Sequence, residues 1–234
     1  MALQEYARDV GEMSTTMRDD NARLGIDMPE LDHVPVPDSW AALVKPGDEN
    51  DTAYGEMVAR LRDFLDYVTA ARPDPDTVAA LRDDLERWGQ RLAPIAVPER
   101  DQVFGHLRDL QGRGQTMSPT FVVREADRNN VRGTVRFGRY FLGGNGAVHG
   151  GAIPLFFDEV LGRLANSAGR RHSRTAYLHT DYRSVTPVGA ELTVHGWFVS
   201  EEGRKRVLRA ELRDGDVVCA EAEGLFVRLN PGQP

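Results

Sequence analysis

The chain holds a single cysteine, Cys219, so it cannot close a disulfide on itself, a usage that fits a cytoplasmic protein. No apolar run approaches the ~20 residues that a membrane-crossing helix needs. Near the start, Glu5, Arg8 and Asp9 stand where a secretory signal would need an apolar stretch, so export is not expected. Internal repeats and low-complexity tracts are lacking. His33, His106, His149, His172, His179 and His195 follow no ligand spacing and have no cysteine pair beside them, so no metal site is expected. Basic residues are scarce in one half only. Residues 1–100 hold 21 acidic against 11 basic side chains, a net of -10, whereas residues 101–234 hold 15 against 18, a net of +3. An acidic N-terminal part repels a phosphate backbone, which weighs against a nucleic-acid partner, while the slightly basic remainder can receive a smaller anion.

What the chain does have is the balance of a globular protein, 41% hydrophobic and 28% charged over 234 residues. Residues 5–24 read as a polar helix, and residues 28–47, with Pro29, Pro35, Pro37 and Pro46, as extended loop. Helical periodicity follows: Met57, Leu61, Leu65 and Val68 recur at spacings of three and four, then Val78, Leu81, Leu85 and Trp88. Pro73 and Pro75 separate the two runs and Asp76 is placed to cap the second, so a helical hairpin is expected. Residues 103–110 suggest one more short helix. From about Pro119 the period becomes alternating, as in Val131, Gly133, Val135 and Phe137, with further strands expected around residues 176–182, 192–198, 208–212 and 218–226. The intervening turns, Pro187-Val188-Gly189, Glu202-Gly203 and Asp214-Gly215-Asp216, are short enough to make the strands antiparallel neighbours. One helix interrupts them over residues 151–167, with a wide stripe of Ile153, Phe156, Phe157, Val160, Leu161 and Leu164. The fold class is therefore α+β: an antiparallel sheet around one central helix over residues 116–234, preceded by a mainly helical extension over residues 1–115.

The chemistry is concentrated in Gly143-Gly144-Asn145-Gly146-Ala147-Val148-His149-Gly150-Gly151, which runs into that helix. Glycines let backbone approach a ligand, and the first N–H groups of a helix have no intrahelical acceptor. Gly150 and Gly151 are thus candidate donors to an oxygen that gains negative charge. Asp158 lies off the apolar stripe, flanked by Pro154, Gly162 and Ala165, where a carboxylate can face a cavity. Its neighbour Glu159 sits one turn before Arg163 and is expected to pair with it on a solvated face. Seven residues separate Gly151 from Asp158, ~10 Å along a helix, yet a base must lie ~3 Å from its target. If both act in one reaction, the acid must come from a second, roughly antiparallel copy of the helix. Cys219 alternates within a strand and reads as a small packing residue.

These residues resemble a known family. His149-Gly150-Gly151, then Asp158 and Gly162, then Asp181-Tyr182-Arg183-Ser184-Val185-Thr186-Pro187, are similar to the hotdog-fold acyl-CoA thioesterases of the PaaI-like branch. The likeness covers about residues 119–229, and Asp216 to Phe226 look like that family's last strand. It implies hydrolysis of a fatty or aryl acyl-CoA to free acid and CoA, with CoA as part of the substrate and no separate cofactor. It further implies a homodimer or dimer of dimers. Gly150 or Gly151 would polarise the carbonyl and Asp158 of the neighbouring subunit would act as general base or nucleophile. Thr175 would orient the water. His149 would fix the turn by bonding backbone, ahead of a role as base. Several relatives carry Asn or Gln six residues before the histidine, where this chain has Gly143; Asn145 either replaces that contact or stabilises a turn. Arg183, Arg204, Lys205 and Arg206 are candidates for the CoA phosphates. A non-catalytic acyl-CoA-binding module is the alternative. It is disfavoured by the acidic N-terminal part, unsuited to the DNA-binding head such regulators carry, and by the presence of Asp158. A hydratase would need an Asp–His pair, and no histidine follows Asp158 before His172.

Overall fold

The computed structural model describes residues 53–107 and 110–233, so the expected helix at 5–24 and loop at 28–47 lie outside the described residues. The described residues begin with two helices, α1 (Ala53–Ala70) and α2 (Pro75–Leu92). Asp74, not Asp76, caps α2: its carboxylate accepts from the Thr77 N–H at 2.8 Å and the Thr77 hydroxyl at 2.9 Å, with Pro75 at the first helical position. The two helices do not make the expected packed hairpin. Val78, Leu85 and Trp88 stay more than half exposed and α2 buries no residue at all. Pro75 holds Asp74 extended, and α2 runs on without folding its stripe against α1. The described residues of the helix expected at 103–110 are not helical but turn at 104–106, and a 3₁₀ turn follows at Gln111–Gly114.

The sheet then builds from β1 (Phe121–Ala126), β2 (Asn130–Arg136), β5 (Ser173–Tyr182), β6 (Glu191–Glu202), β7 (Lys205–Asp214) and β8 (Val217–Arg228), with a small hairpin of β3 (Leu142–Gly144) and β4 (Ala147–Val148) outside it. The main order is β1-β2-β6-β7-β8-β5, every neighbour antiparallel. The helix α3 (Ala152–Ala165) lies in the curve of this sheet, its Phe156, Phe157, Val160, Leu161 and Leu164 wholly buried. They meet Val131, Val135, Leu192, Leu208, Leu212 and Phe226 from the inner sheet face. Each such side chain contributes about 1.5–3 kcal/mol by leaving water, so the helix is the anchor of the core. At its C-terminal end, buried Arg206 donates to the Ala165 carbonyl at 2.8 Å.

Two features position the site. First, β5 is a strand of 10 residues at the edge of the described sheet, where β8 is its one described partner strand. Second, its register slips between Thr175 and Tyr177, so that Ala176 bulges out of the ladder. Thr175, Leu178, Thr180 and Tyr182 therefore stand opposite the inward-facing Phe226, Gly224, Ala222 and Ala220. No helix among the described residues is long and apolar enough to cross a membrane.

Candidate active site

The glycine-rich segment is a hairpin tip followed by a helix start. Asn145 (φ 50°) and Gly146 (φ 78°) form the two-residue loop between β3 and β4, the left-handed pair that a tight hairpin requires. Asn145 thus sits in a turn. Gly143 packs against the backbone of His149 so closely that a Cβ there would come within 2.7 Å of the His149 Cα. A side chain six residues before the histidine does not fit this backbone.

His149 then organises the turn into α3. Its N–H donates to the Phe141 carbonyl at 2.7 Å, and its own carbonyl accepts from the Ala152 N–H at 2.9 Å. Its ring Nδ1 accepts from the Gly151 N–H at 3.0 Å, which places the ring proton on Nε2 in the neutral tautomer. The Gly151 N–H is therefore engaged, whereas no described residue accepts from the Gly150 N–H. The peptide joining the two glycines is held from its other side as well: the Tyr182 hydroxyl donates to the Gly150 carbonyl at 2.7 Å. Of the two sequence candidates for an oxyanion donor, only Gly150 has an N–H with no acceptor among the described residues.

Asp158 lies half-buried on α3, and its Oδ1 accepts from the Thr175 hydroxyl at 2.8 Å. Helix and strand, 17 residues apart in the chain, thus bring together the carboxylate and the hydroxyl, and Oδ2 has no partner among the described residues. Glu159 is not paired along its own helix. It meets Arg113 at 3.2 Å, from the turn at Gln111–Gly114, because that turn packs over the helix surface and half-buries the pair.

The four candidates for phosphate binding are scattered. Arg183 stands on the outer sheet face between Glu221, at 2.6 Å, and Asp181, at 3.0 Å; the bond to Glu221 and the nearby Asp181 charge raise its affinity for its proton. Arg204 donates to the Arg228 carbonyl at 2.9 Å, and Lys205 is exposed at the start of β7. Arg206 does not fit the expectation of a phosphate contact. It is 4% exposed, with donors committed to Glu201, Ala165 and Arg171, so its role is to tie the end of α3 to the sheet. Cys219 is fully buried, and burial pushes its thiol up, away from the nucleophilic form. Among the described residues no group of three or more His, Cys, Asp or Glu side chains could hold a metal ion.

Sequence reasoning passed over Tyr182 as a functional side chain. It marked an alternating strand position, and nothing local signals that its hydroxyl reaches a carbonyl 32 residues earlier.

Residues 145–221 match the model of the Thioesterase superfamily. The acyl-coenzyme A thioesterase THEM4 of Bos taurus is 31% identical over 96 residues, 40% of this chain and 39% of that protein, so the match spans about two fifths of the relative. The crystal structure of RHA08564, a thioesterase superfamily protein, superposes with a TM-score of 0.65 at 26% identity, covering 76% of this chain and 96% of that one. The family match falls on the segment that holds the hairpin tip, α3, β5 and the Asp158–Thr175 pair, within a sheet curved about one helix. Residues 145–221 are thus similar to the thioesterase superfamily, and the chain has the hotdog fold of the solved thioesterase superfamily protein it superposes on.

Proposed function

We propose that the protein hydrolyses an acyl-CoA thioester to the free acid and CoA, in a site that two copies of the chain complete together. The observation that carries this reading is the Asp158–Thr175 pair, a half-buried carboxylate with one oxygen engaged and the other open. The thioester carbonyl points at the Gly150 N–H, reinforced by the positive end of the α3 dipole. Asp158 lies two turns down its own helix, ~10 Å from that donor, so the acid opposite Gly150 belongs to a second copy. The β5 edge supports such a pairing. It is long and extended and pairs with no other described strand on that side, a ready template for an antiparallel copy of itself, and a two-fold axis there sets the α3 helices side by side.

In the reaction, a water donates one hydrogen bond to the open Asp158 Oδ2 and one to the Thr175 oxygen, whose own proton is already given to Oδ1. Asp158 takes a proton as the water oxygen bonds to the carbonyl carbon, and the oxyanion forms against Gly150. Collapse of that intermediate breaks the carbon–sulfur bond, and the proton held by Asp158 passes to the departing CoA thiolate. Direct attack by Oδ2, through a mixed anhydride, uses the same groups. Label in the Asp158 carboxylate after a single turnover in ¹⁸O-labelled water identifies direct attack with water opening the anhydride at the Asp158 carbon, because general-base catalysis puts the label in the free acid alone.

The test is a thiol-release assay over short, medium, long and aryl acyl-CoAs, beside Asp158→Asn. The variant keeps an oxygen for Thr175 and loses the base, so turnover should fall by about 10²–10⁴ while acyl-CoA still binds. Saturable binding with no release by the wild type would move the protein to the class of acyl-CoA-binding modules. Full activity in a folded Asp158→Asn would overturn the mechanism.

A further inference from the structure

Helix α1 is laid on the rest of the described protein by an unexpected face. Three of the four members of its apolar stripe, Met57, Leu61 and Val68, are 38–48% exposed. The face turned inward carries the fourth member, Leu65, with Val58, Arg62 and Asp66 from one residue further on, and of these only Val58 is buried. The two charged members of that face bond to backbone across it. An Arg62 Nη donates to the Gln115 carbonyl. Asp66 Oδ1 accepts from the Tyr140 N–H at 2.8 Å, 74 residues later.

Tyr140 is the middle residue of the 3₁₀ turn Arg139–Phe141, whose first N–H groups have no acceptor of their own. Asp66 supplies one from outside the turn. This approach depends on Gly138, since a Cβ at that position would overlap both carboxylate oxygens of Asp66. The same turn supports the candidate active site. The Phe141 carbonyl takes the His149 N–H at 2.7 Å, and His149 Nδ1 takes the Gly151 N–H. A short line of hydrogen bonds thus runs from α1 through the turn to the glycine peptide beside the free Gly150 N–H.

We propose that α1 is a brace for the oxyanion loop and that Asp66 is its positioning residue. The proposal rests on the thioesterase reading for its effect on rate, and on geometry alone for its effect on the loop. Asp66 touches no reacting group. It acts by holding Arg139–Phe141, and through it His149, so that the Gly150 N–H stands where negative charge will develop. A donor displaced from that place costs the transition state more than the bound substrate, so the loss appears in kcat and not in KM. The role assigned to α1 is therefore catalytic support, which neither its exposed apolar stripe nor its distance in sequence suggests.

The experiment uses the full chain with Asp66→Ala, Asp66→Asn, Gly138→Ala and the Asp66→Ala/Gly138→Ala double variant. Hydrogen exchange without substrate is read first. Asp66→Ala should speed exchange across residues 140–151 by roughly tenfold while β6, β7 and β8 keep wild-type protection. Asp66→Asn, which retains an acceptor oxygen, should recover most of the protection. On an acyl-CoA that the wild type turns over, Asp66→Ala should lower kcat by about ten- to a hundredfold with KM changed less than about twofold. Gly138→Ala, by pushing the carboxylate away, should act similarly, and the double variant should be no worse than the poorer single one. Wild-type exchange at 140–151 in Asp66→Ala overturns the brace, and so does a lowered melting temperature with kcat unchanged. If the wild type releases no thiol from any acyl-CoA, the thioesterase reading fails, and the exchange measurement still decides the brace.

Discussion

Replacing Tyr182 with Phe removes one oxygen and keeps the ring. That oxygen donates to the Gly150 carbonyl at 2.7 Å, while the N–H of the same peptide donates to His149 Nδ1 at 3.0 Å. With glycine on both sides the peptide has little intrinsic preference among orientations, so these two bonds select the one observed. A net protein hydrogen bond contributes about 1 kcal/mol, equal to about a fivefold change in population. Loss of the hydroxyl should therefore lower kcat/KM for acyl-CoA hydrolysis roughly three- to tenfold, because the bond to His149 still holds one side of the peptide. Stability should change by no more than about 1 kcal/mol, since Tyr182 is half exposed and its aromatic ring remains. The assay is steady-state thiol release across acyl-CoA concentrations, with thermal unfolding of the same preparations as control. A wild-type rate in Tyr182→Phe would refute the claim that the hydroxyl, by holding the Gly150–Gly151 peptide, fixes the neighbouring Gly150 N–H. A loss beyond about a hundredfold would refute it too, because one hydrogen bond to a backbone carbonyl cannot account for such an effect.

Other outcomes follow from the same structure. Thr175→Val removes the hydroxyl that Asp158 accepts from while keeping the β-branched shape on β5, and kcat should fall about tenfold with little change in melting temperature. Glu201 joins Arg170 and Arg206, whose side chains are only 5% exposed, at 3.1 and 2.8 Å. Glu201→Gln leaves two buried guanidinium groups without their carboxylate and should cost about 3 kcal/mol, read as a melting temperature lower by roughly 6–12 °C at neutral pH. Burial alone would raise the Glu201 carboxyl, but its bonds to Arg170 and Arg206 outweigh burial and leave it below the usual carboxylate range. The unfolded chain then binds more protons than the native one in acid. This contribution is complete above the unfolded value of ~4.3 and is lost as pH falls through the lower folded value, so Glu201→Gln should flatten the acid limb of the melting-temperature profile below about pH 4.3. Cys219, buried with its thiol pushed up, should resist a water-soluble disulfide reagent at neutral pH until denaturant is added, and rapid labelling of the native protein would contradict its place in the core.

The residue pattern alone determined the elements that bury an apolar face. Alternation at Val131, Val135 and Phe137 and the stripe from Ile153 to Leu164 marked a strand and the central helix, because burial imposes a period that composition records directly. The same holds for the turns at Gly203 and Gly215, where the backbone adopts positive φ. Asp158 was recognisable as an acid off the apolar stripe with no partner in its own helix. What the pattern could not decide were contacts between residues remote in the chain. Helical spacing offered Arg163 to Glu159, but the packed turn supplied Arg113. Periodicity assigned the apolar stripe of α1 to packing, yet the tertiary structure laid down its Arg62–Asp66 face, because bonds to the Gln115 carbonyl and Tyr140 N–H lie on that side. Sequence offered Gly150 and Gly151 as equal donors. Only the tertiary structure distinguishes them, since a His149 ring and a Tyr182 hydroxyl 32 residues from Gly150 hold one peptide and leave the Gly150 N–H free. Local pattern reports which surfaces leave water, whereas the direction of a single N–H depends on hydrogen-bond partners that only the folded chain brings within reach.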